Sequence, residues 1–255
     1  MKEKILLLLN DRTEESTDKA IELVKTHKLQ ETFYYLSRFG EMLDYLRQFE
    51  NIEILEYAFL APKSEHIESI EKEIGQPLNN GVKKFYEQCG GLILWWVDKR
   101  NKRYDKIIQS YQQDICVDGS ILIFNLKNVY HQGPPKFPKA CEFIDKKLSA
   151  EDMAKYFHQF DYFSDYRDMM AYTGEHADNP LLVLGEDYGA TYLESRLISI
   201  PDYLELIFHF CVLVESRYSY LHKYEGHKMS MLNWDREFFK NLPKPDFSEY
   251  PYSID

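Results

Sequence analysis

The stretch from Asn80 to Val97 leaves this chain little conformational choice. Val82, Phe85, Tyr86 and Cys89 recur at i, i+3, i+4 and i+7, the spacing of one helical face. Gly90-Gly91 ends that period, and Leu92 to Val97 follows as an unbroken apolar run, LILWWV, closed by Asp98-Lys99-Arg100. The run is too short for a helix and rich in the aromatic and branched residues that fit a pleated surface. The spacing therefore predicts a helix, a glycine turn and a buried strand.

Other segments extend the pattern. Acids crowd the turn after Thr13, which suits a helix start, and Ile21 and Val24 share a face behind it. Leu36, Phe39, Leu43 and Leu46 form a second amphipathic stripe, interrupted by Gly40 at a cost of about 1 kcal/mol relative to Ala. Ile52 to Leu60 reads as a strand that Pro62 stops. Ser64 is expected to cap a helix carrying Ile67, Ile70 and Ile74, which Gly75 terminates; Asn80 is expected to cap the next. Residues 98–114 read as a polar loop or twisted hairpin. Ile121 to Phe124 is another short apolar run, and residues 131–139 read as irregular. Met153, Tyr156, Phe157 and Phe160 fit one helix face. Leu181 to Leu184 and Ala190 to Leu193 look like a hairpin around Asp187 and Gly189, and Pro201 opens a helix expected to run past Val214. The aromatic, proline-rich last thirty residues are expected to pack over the surface.

The segment HIESIEKEIGQPLNNGVKKFYEQCGGLILWW resembles the N-terminal motif of the SUKH superfamily, with Ile70, Glu71, Ile74, Gly75, Leu78, Phe85, Gly90 and Gly91 at its usual positions. LLVLGEDYGATYLES and SIPDYLELI resemble its later hairpin and closing helix, with Asp187 and Gly189 in the turn. Pro77-Leu78 reverses the Leu-Pro common in the family's connector, and Cys89 stands where Asn is frequent, the profile of a distant or extended member. The resemblance implies an α+β fold, a curved and mostly antiparallel sheet flanked by helices. On that reading residues 60–225 form the domain, residues 1–59 an N-terminal helical extension, and residues 226–255 a segment packed on it. It also implies protein binding rather than catalysis. Bacterial members neutralise toxins by direct binding, and fungal relatives regulate cell-wall synthesis and signalling.

Charge narrows the partner. Acids outnumber bases by 42 to 31, a net charge of −11, and such a field repels phosphate backbones and favours a basic protein, for which a toxin domain is one candidate. Four dispersed cysteines with no C-x-x-C pair suit reduced thiols in the cytoplasm. The run Ile5 to Leu9 is too short for a signal core, and no run approaches a membrane span. No nucleophile elbow, phosphate loop or metal-ligand spacing occurs, so neither cofactor nor metal is expected. Asp161, Tyr162, Asp165, Tyr166 and Asp168 interleave acids with aromatics and are the expected partner-binding surface, with Asp187 in the hairpin turn as a further contact. Two other readings compete: a hydrolase using His176, Glu186 and Asp187, and a regulatory scaffold whose N-terminal helices dock a second partner.

Overall fold

In the computed structural model the described residues are 1–110, 117–131, 141–143, 146–148, 157–162, 169–173, 181–185, 198–214 and 243–250. Three helices come first: α1 (Lys2–Asn10), α2 (Glu14–Thr26) and α3 (Tyr34–Leu46). Thr13 starts α2 through a reciprocal cap, its hydroxyl accepting from Ser16 N–H at 3.1 Å while Ser16 Oγ accepts from Thr13 N–H at 3.2 Å. Gly40 has a packing purpose, since a Cβ there would lie 2.6 Å from Ile21 Cγ2; its absence lets α2 and α3 close together.

Next come β1 (Ile52–Phe59), α4 (Ser64–Ile74), α5 (Asn80–Tyr86) and β2 (Leu92–Asp98). Then follow α6 (Tyr104–Ser110), β3 (Gly119–Ile123), α7 (Leu126–His131), and the short pair β4 (Cys141–Phe143) and β5 (Lys146–Leu148). The described chain continues through β6 (Phe157–Tyr162), β7 (Met169–Thr173), β8 (Leu181–Gly185), β9 (Ile198–Ser199) and α8 (Ile200–His209). Among the described residues seven strands form one sheet in the order β1-β2-β3-β6-β7-β8-β9, every neighbouring pair antiparallel. The fold is α+β, as expected.

Strand alternation assigns the two faces. Leu92, Leu94 and Trp96 of β2 enter the main core with the buried faces of α1 to α5 and α8. On the opposite face Val97 packs with Ile107 and Val117 beneath α6. The exposed edge of β1 is blunted by α2: Tyr57 N–H donates to Glu14 Oε1 and Phe59 N–H to Thr17 Oγ1, both at 3.3 Å, so side chains occupy donors that would otherwise invite another strand. Residues 1–59 are therefore more than a helical extension. Their final strand belongs to the sheet, and their apolar stripes share its core.

The C-terminal segment 243–250 is anchored. Phe247 is fully buried, its ring 5.1 Å from that of Trp96 and 5.3 Å from that of Phe49. Arg100, held by the buried carboxylate of Asp98 at 2.7 Å, donates to the carbonyls of Phe247, Ser248 and Glu249, and Asn51 donates a second bond to Phe247 O.

Several expectations are corrected. Phe157 and Phe160 lie on strand β6, not on a helix; β6 pairs with β7 across a bulge between Gln159 and Asp161, and Phe160 is fully buried. Residues 98–114 contain helix α6, supported by burial of Ile107. The helix after Pro201 stops at His209, because Cys211 and Val212 turn to φ of 53° and 55° and tie to the sheet: Trp96 Nε1 donates to Cys211 O at 2.7 Å and Ser120 N–H to Val212 O at 3.0 Å. The helix caps also shift by one residue: Lys63 and Asn79 occupy the cap positions, and neither makes a side-chain cap bond. Strand β8 pairs with β7 and β9, and residues 190–193 lie outside the described residues.

Candidate functional site

The residues singled out by the resemblance in sequence have structural roles, and together they shape one place on the surface. Ile70 and Phe85 are fully buried, Leu78 is nearly so, and Ile74 packs against the same core. Glu71 joins α4 to α5, accepting from Leu78 N–H at 3.1 Å and from Lys83 Nζ at 3.0 Å, and these bonds draw its pKa below the usual carboxylate value. Gly75 closes α4 at φ 71°.

Gly90 and Gly91 bring three backbones into contact. A Cβ on Gly90 would lie 2.1 Å from Ala61 O, and one on Gly91 would lie 2.8 Å from Ile123 O and 3.3 Å from Asn125 N, with Gly91 also at φ 133°. Two hydrogen bonds of 2.9 Å, Leu60 N–H to Gly91 O and Gly90 N–H to Leu60 O, fix the exit of β1 against the entry of β2.

A cleft of about 260 Å³ opens at this junction. Its floor comes from the sheet face turned away from the main core: Ala58 lies opposite Ile93, and Ile93 opposite Leu122. Leu60 and Phe124 extend the floor, and Leu60, Ile93, Leu122 and Phe124 are each only half-buried. Glu56 lies at its rim, and burial together with the nearby Glu14 charge raises its pKa. A smaller recess of about 20 Å³ adjoins, sharing Arg12, Leu60 and Asn125 with the cleft and adding Lys63 and His66.

Local structure positions each polar group. Arg12 occupies the tight turn between α1 and α2 at φ 56°. Lys63 and His66 belong to the start of α4. Asn125 caps α7, its Oδ1 accepting from Asn128 N–H at 3.1 Å. Lys127, in the first turn of α7, lies within electrostatic reach of His66, whose pKa is lowered by burial first, then by Lys127, Lys63 and Arg12, against the opposite pull of Glu65. Arg12, Lys63 and Lys127 have no ion-pair partner among the described residues. The result is a cation-rich recess continuous with an apolar floor.

Of the partner-binding surface expected from sequence, Asp161 and Tyr162 are among the described residues. Asp161 is fully buried; its Oδ1 accepts from Leu122 N–H at 2.9 Å and its other oxygen from the Tyr203 hydroxyl. It joins β3 to β6, where Ile123 and Asp161 are the single aligned pair, and it offers no charge to a partner. Tyr162 is half-buried at the end of β6. Asp165, Tyr166, Asp168, His176, Glu186, Asp187 and Gly189 lie outside the described residues. Cys89 is buried, and burial pushes its thiol up to about 12, in keeping with packing rather than chemistry. Among the described residues no helix is long and apolar enough to cross a membrane, and no group of His, Cys, Asp and Glu is arranged to hold a metal. Comparison with protein-family models, with curated proteins and with solved structures finds no match to this chain.

Sequence reasoning missed Arg12, Lys63, His66 and Lys127. The Gly90-Gly91 pair was the available signal: adjacent glycines between a helix and a buried strand mark a place where other backbones approach.

Proposed function

We propose that this chain is a non-catalytic binding protein of the immunity type, which neutralises a toxin domain by covering part of its surface. The observation that carries the reading is the cleft, where Leu60, Ile93, Leu122 and Phe124 remain half-buried on the sheet's outer face. Apolar side chains left beside a polar rim are what a protein interface uses for its buried centre. The resemblance to the SUKH motif supports the same reading, and its Gly90-Gly91 pair lets the exits of β1 and β3, which border the cleft, approach each other. The net charge of −11 favours a partner that is basic as a whole.

The test is co-expression with any toxin domain encoded beside the gene. The wild-type chain should form a complex and restore growth, and Ile93→Asp should lose both while keeping its far-ultraviolet circular dichroism and cooperative melting. A folded Ile93→Asp protein that still binds and protects would remove the cleft from the interface. Failure of the wild type to bind the toxin domain would overturn the immunity reading.

A further inference from the structure

The cleft has two chemically different ends, and the cationic one needs its own account. The chain carries 31 Lys and Arg against 42 Asp and Glu, so an average surface site leans acidic. Here Arg12 from the α1–α2 turn and Lys63 and His66 from the start of α4 line one recess, with Lys127 of the first turn of α7 within electrostatic reach of His66. Like charges gathered at one place repel: burial is the main cause of the lowered His66 pKa, and the Lys127, Lys63 and Arg12 charges add to it against the opposite pull of Glu65. An anion entering the recess would relieve it.

Size and continuity narrow the ligand. The apolar cleft, at about 260 Å³, is smaller than the roughly 300–1,000 Å³ usual for small-molecule pockets and suits one or two side chains. The recess, at about 20 Å³, holds little more than a water-sized group, for which roughly 10–15 Å³ suffices. The two share Arg12, Leu60 and Asn125, so a single short segment can fill both. The acidic surroundings disfavour a nucleic acid, whose backbone would extend well beyond four cations.

Resting on the binding reading above, we propose that the recess is a carboxylate-binding site: an Asp or Glu of the partner protein sits among Arg12, Lys63 and His66, with the Lys127 charge nearby, and the adjoining apolar partner residue covers Leu60, Ile93 and Leu122. The partner's contact loop is thus acidic and apolar even where the partner as a whole is basic.

The experiment uses the full chain and three end-blocked peptides, identical except for a central Leu-Glu-Leu, Leu-Gln-Leu or Leu-Lys-Leu. Inorganic phosphate serves as a competitor, and the His66 ring proton is followed by NMR. The Glu peptide should shift the His66 signal and bind about tenfold more tightly than the Gln peptide, the advantage shrinking with added salt. The triple variant Arg12→Glu, Lys63→Glu, Lys127→Glu should reverse the order and prefer the Lys peptide. Equal binding of Glu and Gln peptides, or an unmoved His66 signal with all three, overturns the carboxylate site. Displacement of the Glu peptide by phosphate at equal concentration makes it a phosphate site instead and also overturns the proposal. In parallel, the triple variant is mixed with the toxin domain. A complex that survives charge reversal but is lost in Ile93→Asp sinks the carboxylate site alone; a wild type that forms no complex sinks the immunity reading.

Discussion

Replacing Phe247 by Ala tests whether the C-terminal segment belongs to the fold. Phe247 is fully buried among Trp96, Phe49 and Tyr45, so truncation removes nearly the whole ring from an apolar site. Phe-to-Ala changes in cores cost about 3–5 kcal/mol, the lost transfer energy plus the cavity left behind. The upper half of that range is expected, because the neighbours sit on three elements, α3, β2 and the turn after α3, and collapse of one onto the void would strain the others. The backbone of residues 247–249 remains held by Arg100 and Asn51, which limits relaxation further. Urea unfolding followed by tryptophan fluorescence measures the effect. With a slope of roughly 3 kcal/mol/M for a chain of this length, the midpoint should fall by about 1.5 M. A loss below about 1 kcal/mol would mean that the segment merely rests on the surface, and the argument from its aromatic contacts would fail.

Asp161→Ala should destabilise the protein by about 2–5 kcal/mol, because it leaves the Leu122 N–H and the Tyr203 hydroxyl without their buried acceptor; Asp161→Asn, which retains an acceptor oxygen, should cost less. Chemical denaturation of the two variants checks this, and an Ala variant as stable as wild type would return Asp161 to the surface role expected from sequence. His158 is held neutral: burial lowers its pKa from 6.5 to about 4, against a hydrogen bond to the Val129 backbone. A depressed histidine contributes stability that is complete above 6.5 and is lost as the pH falls toward 4, by up to about 1.4 kcal/mol per unit and, for a half-buried ring, about 1–3 kcal/mol in total. His158→Phe should flatten the wild-type stability profile across that window, and parallel profiles would refute the assignment.

What was legible depended on the range of the interaction. The stripe Leu36, Phe39, Leu43 and Leu46 is buried as its spacing predicts, and the helix, glycine turn and strand from Asn80 to Val97 hold because each is decided by neighbours a few residues apart. Strand β6 reads as a helix because its aromatics recur at a helical spacing, whereas its extended form is set by pairing with β3 and β7 elsewhere in the chain. Asp161 failed for a related reason: an acid between aromatics reads as an exposed face, whereas its partner Tyr203 lies 42 positions away.

The cationic recess shows the same limit in electrostatics. A net charge of −11 describes the field a partner meets at a distance, and within roughly 8–10 Å, the screening length at ordinary salt, individual side chains replace that sum. Arg12, Lys63 and His66 are unremarkable where they stand in the chain, and they line one recess beside the place where Gly90 and Gly91 allow the exits of β1 and β3 to meet. Long-range attraction to a basic partner and short-range capture of one of its acids are therefore compatible. The first governs encounter and the second fixes register, so charge reversal in the recess should act mainly on the dissociation rate, while added salt should act mainly on association.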